Sequence, residues 1–205
     1  MAGGSAMTFF KVADDEYVFP IIQNSTEVST YQGWLTPAVT GVFQPYRVKP
    51  ENAPEPSLRT HYLKEFSEVF FDVDPRDSIE NACETEAFNK LEEILTTDNG
   101  TIRHTSVGID CKTTNVQFNG VLTIDDESYF EDYIEPIEFD SWEYEKLEFV
   151  STKDEDRLKE LFHRSKMTPY NIVCLSEGLR WLENNRDISL PFELRESSSH
   201  RHSQK

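Results

Sequence analysis

"TIRHTSVGIDCKTTNVQFNGVLTID", residues Thr101 to Asp125, alternates with period two and is rich in β-branched side chains. Val116 and Phe118 share one face, and Val121, Leu122 and Ile124 follow the pair Asn119-Gly120. Successive strand side chains point to opposite faces, so the stretch reads as half-buried strands. Asn-Gly between apolar runs signals a hairpin, because both residues tolerate positive φ. The pattern therefore predicts a turn at Asn119-Gly120 and two or three antiparallel strands around it.

The patterning changes on both sides. Upstream, Ser78 is a candidate N-cap for a helix in which Cys83, Ala87, Leu91 and Ile94 repeat at helical spacing, with Asn99-Gly100 as its stop. "HYLKEFSEVFFDVD", His61 to Asp74, fits a helix through Leu63, Phe66 and Phe70 and also a strand through Val69 to Val73. "TFFKVADDEYVFPII", Thr8 to Ile22, predicts two short strands joined by an acidic turn. Val42-Phe43 starts extended, and four prolines between Pro45 and Pro56 then make an edge or loop, with a weak internal boundary at 45–57. Downstream, "KLEFVSTKDEDRLKELF" predicts a strand and then a helix capped by Thr152 or Asp154, while "YNIVCLS", "EGLRWLENN" and "ISLPFELRE" predict strand, helix and strand. Without regular βαβ alternation the expected class is α+β, a mixed and mainly antiparallel sheet with three or four short helices. Residues 7–196 are read as one domain. "MAGGSA" (1–6) is read as a cloning scar foreign to the fold, and Ser197 to Lys205 as a mobile polar tail.

Charge narrows the function classes. The 205 residues carry 38 acids against 20 bases, a net charge of -18. Arg201 and Lys205 are the only charged residues of the tail, so the body carries about -20. Such a body repels nucleic acid and anionic membranes and favours a basic protein partner. Cys83, Cys111 and Cys174 are an odd, widely spaced set that fits reduced cytosolic thiols. No apolar run approaches the roughly 20 residues that span a bilayer, and no signal peptide is present. These features predict a soluble cytoplasmic protein.

Motifs for chemistry are sparse. His61, His104 and His163 are far apart and His200 and His202 lie in the tail, so no metal or other cofactor is implied. Cys174, inside Ile172 to Leu175, reads as a buried, inert thiol. Asp110-Cys111-Lys112 with Glu84, Glu86, Glu92 and Glu93 resembles the acid-x-lysine strand of metal-dependent nucleases, in which carboxylates hold magnesium and the lysine orients water. No glycine-rich loop opens a helix to cradle phosphate, and the small basic cluster His163 to Lys166 suits a helix C-terminus.

The densest signal is "DDESYFEDYIEPIEFDSWEYEKLE", Asp125 to Glu148, with eleven carboxylates, six aromatic rings and one lysine. Extended alternation would put its acids and rings on opposite faces. The plainer reading is a half-buried strand with an acidic solvent face. The sharper one is a docking surface, since solvated faces usually mix lysine among the acids. In it, Asp125, Asp126, Glu127, Glu131, Asp132, Glu135, Glu138, Asp140, Glu143 and Glu145 ring the anchors Tyr129, Tyr133, Trp142 and Tyr144.

"RLKELFHRSKMTPYNIVCLSEGLRWLENNRDISLPFEL", Arg157 to Leu194, resembles the end of a family of bacterial immunity proteins that accompany polymorphic or contact-dependent toxins. The matching parts are Phe162 to Arg164, a strand Ile172 to Leu175, Ser176-Glu177, a helix Gly178 to Asn184 and a closing strand Ile188 to Phe192. The resemblance implies a non-enzymatic inhibitor that occludes a cognate toxin. Two alternatives stand beside it: a phage-type DNA mimic that blocks a DNA-binding enzyme, and a metal-dependent hydrolase or nuclease using Asp110, Lys112 and a helix glutamate.

Overall fold

The computed structural model describes residues 2–27, 31–43, 57–71, 85–110, 115–137, 144–163 and 166–192, with the side chain of Asp110 left out. Its seven strands form one sheet. Strand β1 (Ala2–Ala13) lies at the centre. It runs parallel to β6 (Asn115–Ile124) from Ala2 to Phe10. Along its other edge it pairs first with β4 (Val39–Val42) and then with β2 (Glu16–Asn24). β3 (Leu35–Pro37) and β7 (Tyr144–Ser151) pair with β2, and β5 (Gly100–Asp110) pairs with β6. Five of these six pairings are antiparallel and only β1–β6 is parallel, so the expected α+β class holds.

Helices cover both faces, which explains why "AMTFF" is apolar without a polar face: a strand buried on two sides has no solvent side. On one face Ala6, Phe10, Leu122 and Ile124 pack against α1 (Leu58–Phe70), α2 (Glu86–Leu95) and a helical turn opened by α3 (Glu127–Tyr129). On the other, Met7, Phe9 and Val121 meet α4 (Glu155–His163) and α5 (Pro169–Asn185). Ser57, Thr85 and Thr168 cap α1, α2 and α5 through bonds to the third residue on, each satisfying an orphan amide. Among the described residues no helix is long and apolar enough to cross a membrane.

Several local expectations change. Ala2–Ala6, set aside as a scar, open β1, hydrogen-bonded on both edges and buried from Gly3 onward. Asn119-Gly120 is not a turn. β6 runs through it, and a Cβ on Gly120 would lie 2.5 Å from the Tyr62 ring, so the glycine lets helix and strand approach. Ile172 to Leu175 belongs to α5 and not to a strand, because Thr168 and Pro169 start the helix there. Ile188 to Phe192 forms no strand. The ambiguous "HYLKEFSEVF" is helical, and Thr85 is the N-cap of α2, while the expected cap Ser78 lies outside the described residues. Residues 45–56, 78–84 and 197–205 lie outside the described residues.

Candidate functional site

The acidic-aromatic stretch starts as a helical turn, Glu127 to Ile134, and not as an extended segment. The helix buries Tyr129 completely, and its hydroxyl donates to the Ala87 carbonyl at 3.0 Å. Burial raises its pKa, so it is a neutral core residue and no docking anchor. The Tyr133 hydroxyl donates to Glu86, and Tyr144 packs half-buried at the edge of the same core. Asp126 caps the turn by accepting from the Ser128 amide and hydroxyl. Glu127 pairs with Lys11 at 2.9 Å, and Glu145 accepts from Gln23 and from the Thr26 amide. Glu131, Asp132 and Glu135 are exposed. Glu138, Asp140, Trp142 and Glu143 lie outside the described residues.

Asp125 is the member of the set with the richest environment. It directly follows β6 and accepts from the Tyr17 hydroxyl at 2.6 Å. It also holds Arg186, just past α5, with Nε at 3.0 Å and Nη2 at 2.6 Å. The guanidinium bonds further to Thr101, Thr123 and the Asn185 carbonyl, and lies 5.3 Å from the centre of the Trp181 ring. The hydrogen bond to Asp125 raises the pKa of Arg186. Burial, then the bond to Asp125, pushes the Tyr17 phenol up as well.

Two clefts open on either side of Arg186. One, of about 360 Å³, is lined by Lys11, Asp14, Tyr17, Asp98, Asp125 and Asp187. The other, of about 490 Å³, lies along edge strand β5 and is lined by Arg59, Arg103, Thr97, Thr101, Leu95 and Ile102. Asp98, in the turn between α2 and β5, borders both.

A second polar cluster lies under α1. His61 Nδ1 is 3.6 Å from Glu65, and Lys64 contacts both Glu65, at 3.7 Å, and Glu68. The floor is glycine: a Cβ on Gly4 would stand 2.6 Å from His61, and one on Gly41 would run into the Glu65 carboxylate. Burial lowers the His61 pKa to about 4, so the ring is neutral at pH 7.

The donors required by a metal do not converge. Glu65 and Glu68 share the Lys64 ammonium, Glu92 faces Arg59, Glu93 pairs with Lys90, and Glu86 accepts from Tyr133. Glu84, Cys111, Lys112 and the side chain of Asp110 are not described. Among the described residues no three His, Cys, Asp or Glu side chains could hold a metal ion.

No family model and no curated protein matches the sequence. A NUDIX hydrolase from Alicyclobacillus acidocaldarius superposes with a TM-score of 0.51 at 9% identity, over 90% of this chain and 96% of its own. The chain shares its fold with a NUDIX hydrolase. Two others, from Nitrosomonas europaea and M. smegmatis, align over 90% of this chain and 90% and 84% of theirs, at 14% and 8% identity. Their TM-scores of 0.39 and 0.37 carry no argument.

The NUDIX hydrolase fold overturns the expectation of a non-enzymatic protein that neutralises a basic partner, and the immunity-protein function with it. Among the described members of the expected docking surface, Asp126 is spent on capping, Asp125 and Glu127 on ion pairing and Tyr129 on core packing, while Glu131, Asp132 and Glu135 stay exposed. The residues around the clefts, Tyr17, Arg59, Asp98, Arg103 and Arg186, were not found in the sequence. They stand singly on five different segments, and no spacing connects them.

Proposed function

We propose that this chain is a hydrolase whose substrate occupies the double cleft flanking Arg186. The observation that carries the reading is the fold shared with a NUDIX hydrolase across nine-tenths of this chain. The clefts supply space, and Asp98 supplies an exposed carboxylate bordering both. Asp98 takes the proton of the attacking water, the ordinary work of a general base. The Tyr17–Asp125–Arg186 network keeps the shared wall fixed, because its charges are held by several hydrogen bonds. The cytoplasm, with Cys174 a free buried thiol, is the setting proposed for it.

The test is a panel of carboxylic esters, phosphate esters and phosphoanhydrides incubated with the full chain and with Asp98→Asn. Turnover of at least one compound by wild type, slowed about 100-fold in the variant, supports the reading. Equal rates in the two proteins remove Asp98 from the role. No turnover of any compound removes the hydrolase.

A further inference from the structure

We propose that the cleft along β5, between Arg59, Arg103 and Arg186, binds an oxyanion carried by a small molecule, a phosphoryl or carboxylate group. The inference deepens the hydrolase reading, on which it rests, by naming the chemistry of the substrate group that the cleft holds.

It starts from an anomaly of charge. In a chain of net charge -18, three guanidinium groups line one cleft. Most described bases are tied to acids: Lys11 to Glu127, Lys90 to Glu93, Lys153 to Asp15, Arg157 to Glu148 and Glu160. Arg103 departs from that pattern. It is exposed on the edge strand, and its guanidinium has no ion pair or hydrogen bond among the described residues. Among the described residues nothing occupies its five donors, set in a planar fork matched to a carboxylate or a phosphate. Arg59 is nearly as available, because its contact to Glu92 is 3.9 Å long and both side chains are more than two-fifths exposed. An exposed pair of that kind contributes little, so an anion can draw the guanidinium away from it.

The remaining lining divides the labour. Arg186 is committed to Asp125, Thr101, Thr123 and Asn185, so it gives the cleft a fixed wall and not a mobile clamp. The Thr101 hydroxyl accepts from Arg186, which leaves its own proton to donate into the cleft. The Thr97 hydroxyl is occupied, donating to the Ile94 carbonyl. Leu95 and Ile102 add apolar wall beside the arginines, suited to a ligand with an apolar part next to its charge. Asp98 opposes an anion. Its removal therefore tightens anion binding while, on the hydrolase reading, it slows turnover, and the two roles separate by sign.

The experiment is an amide NMR titration of the full chain with inorganic phosphate and, separately, with citrate. Saturable shifts centred on Gly100 to Arg103 are expected with at least one of them. Arg103→Ala should weaken that binding at least tenfold, Arg103→Lys should recover part of it, and Asp98→Asn should tighten it. Arg180→Ala, which removes an arginine paired with Glu177 elsewhere on α5, should leave it unchanged. Tighter binding of phosphate assigns a phosphoryl group, and tighter binding of citrate assigns a carboxylate. Lack of saturation by either anion, or equal affinity in wild type and Arg103→Ala, overturns the site. Turnover is read separately: Arg103-dependent binding in a protein that hydrolyses nothing keeps the oxyanion site and discards the hydrolase.

Discussion

Asp125–Arg186 and His61–Glu65 are both charged or chargeable pairs set into the fold, and they reach opposite protonation outcomes. Arg186 meets Asp125, Thr101, Thr123 and a carbonyl, and the hydrogen bond to Asp125 raises its pKa so that it keeps its charge. His61 meets the backbone of Gly4 and Gly41 and the rings of Phe43 and Tyr62, and it gives up its proton. The lesson sets burial against supply of partners: the Arg186 charge persists where several hydrogen-bonding groups converge on it, whereas burial, with the Lys64 ammonium sharing Glu65, leaves His61 neutral.

The largest effect expected on this comparison comes from Asp125→Ala. It leaves Arg186 and Tyr17 facing each other without their acceptor and should cost about 3 kcal/mol in urea unfolding. A loss below about 1 kcal/mol would rank the pair with ordinary surface ion pairs. Gly4→Ala attacks the other cluster. Its Cβ would press on two buried rings, His61 at 2.6 Å and Tyr62 at 3.1 Å, neither free to step aside. A loss of about 2 kcal/mol is expected in the same measurement.

Smaller and pH-dependent is the signature of His61 itself. Its pKa is lowered from 6.5 to about 4 on folding, so between those values the unfolded chain binds a proton that the native state refuses. Its contribution is complete above pH 6.5 and is lost as the pH falls toward 4, with a slope of at most about 1.4 kcal/mol per pH unit. Carboxylates titrate in the lower part of that window, so the check is the difference between wild type and His61→Gln. The variant should be flatter between pH 6.5 and 5, and identical slopes would show that folding leaves the His61 pKa unlowered.

The sequence made the α+β class legible because its strongest patterns were local. The β1–β2 hairpin follows from "ADDE" between apolar runs, and α2 from the spacing of Ala87, Leu91 and Ile94. Where a residue serves a distant neighbour, local reading failed. Gly120 looks like a turn residue until the Tyr62 ring lies over it, and Ala2–Ala6 look like a scar until β4 and β6 flank them. Cys174 was legible as a buried thiol: the surrounding core raises its pKa to about 12. The candidate site was not legible. Its arginines and Asp98 come from α1, β5, the turn after α2 and the end of α5, and only the folded chain brings them together. The acidic stretch misled for the converse reason, since its composition is visible locally and its partners are not.

The central claim, that water is added to a substrate in the cleft beside Asp98, is tested most directly by isotope incorporation. A turned-over panel compound is hydrolysed in oxygen-18 water by wild type and by Asp98→Asn, and the products are weighed by mass spectrometry. The account predicts one labelled oxygen per turnover in wild type and a rate about 100-fold lower in the variant at an unchanged melting temperature. Product without label, or labelled product formed equally fast by both proteins, would contradict it.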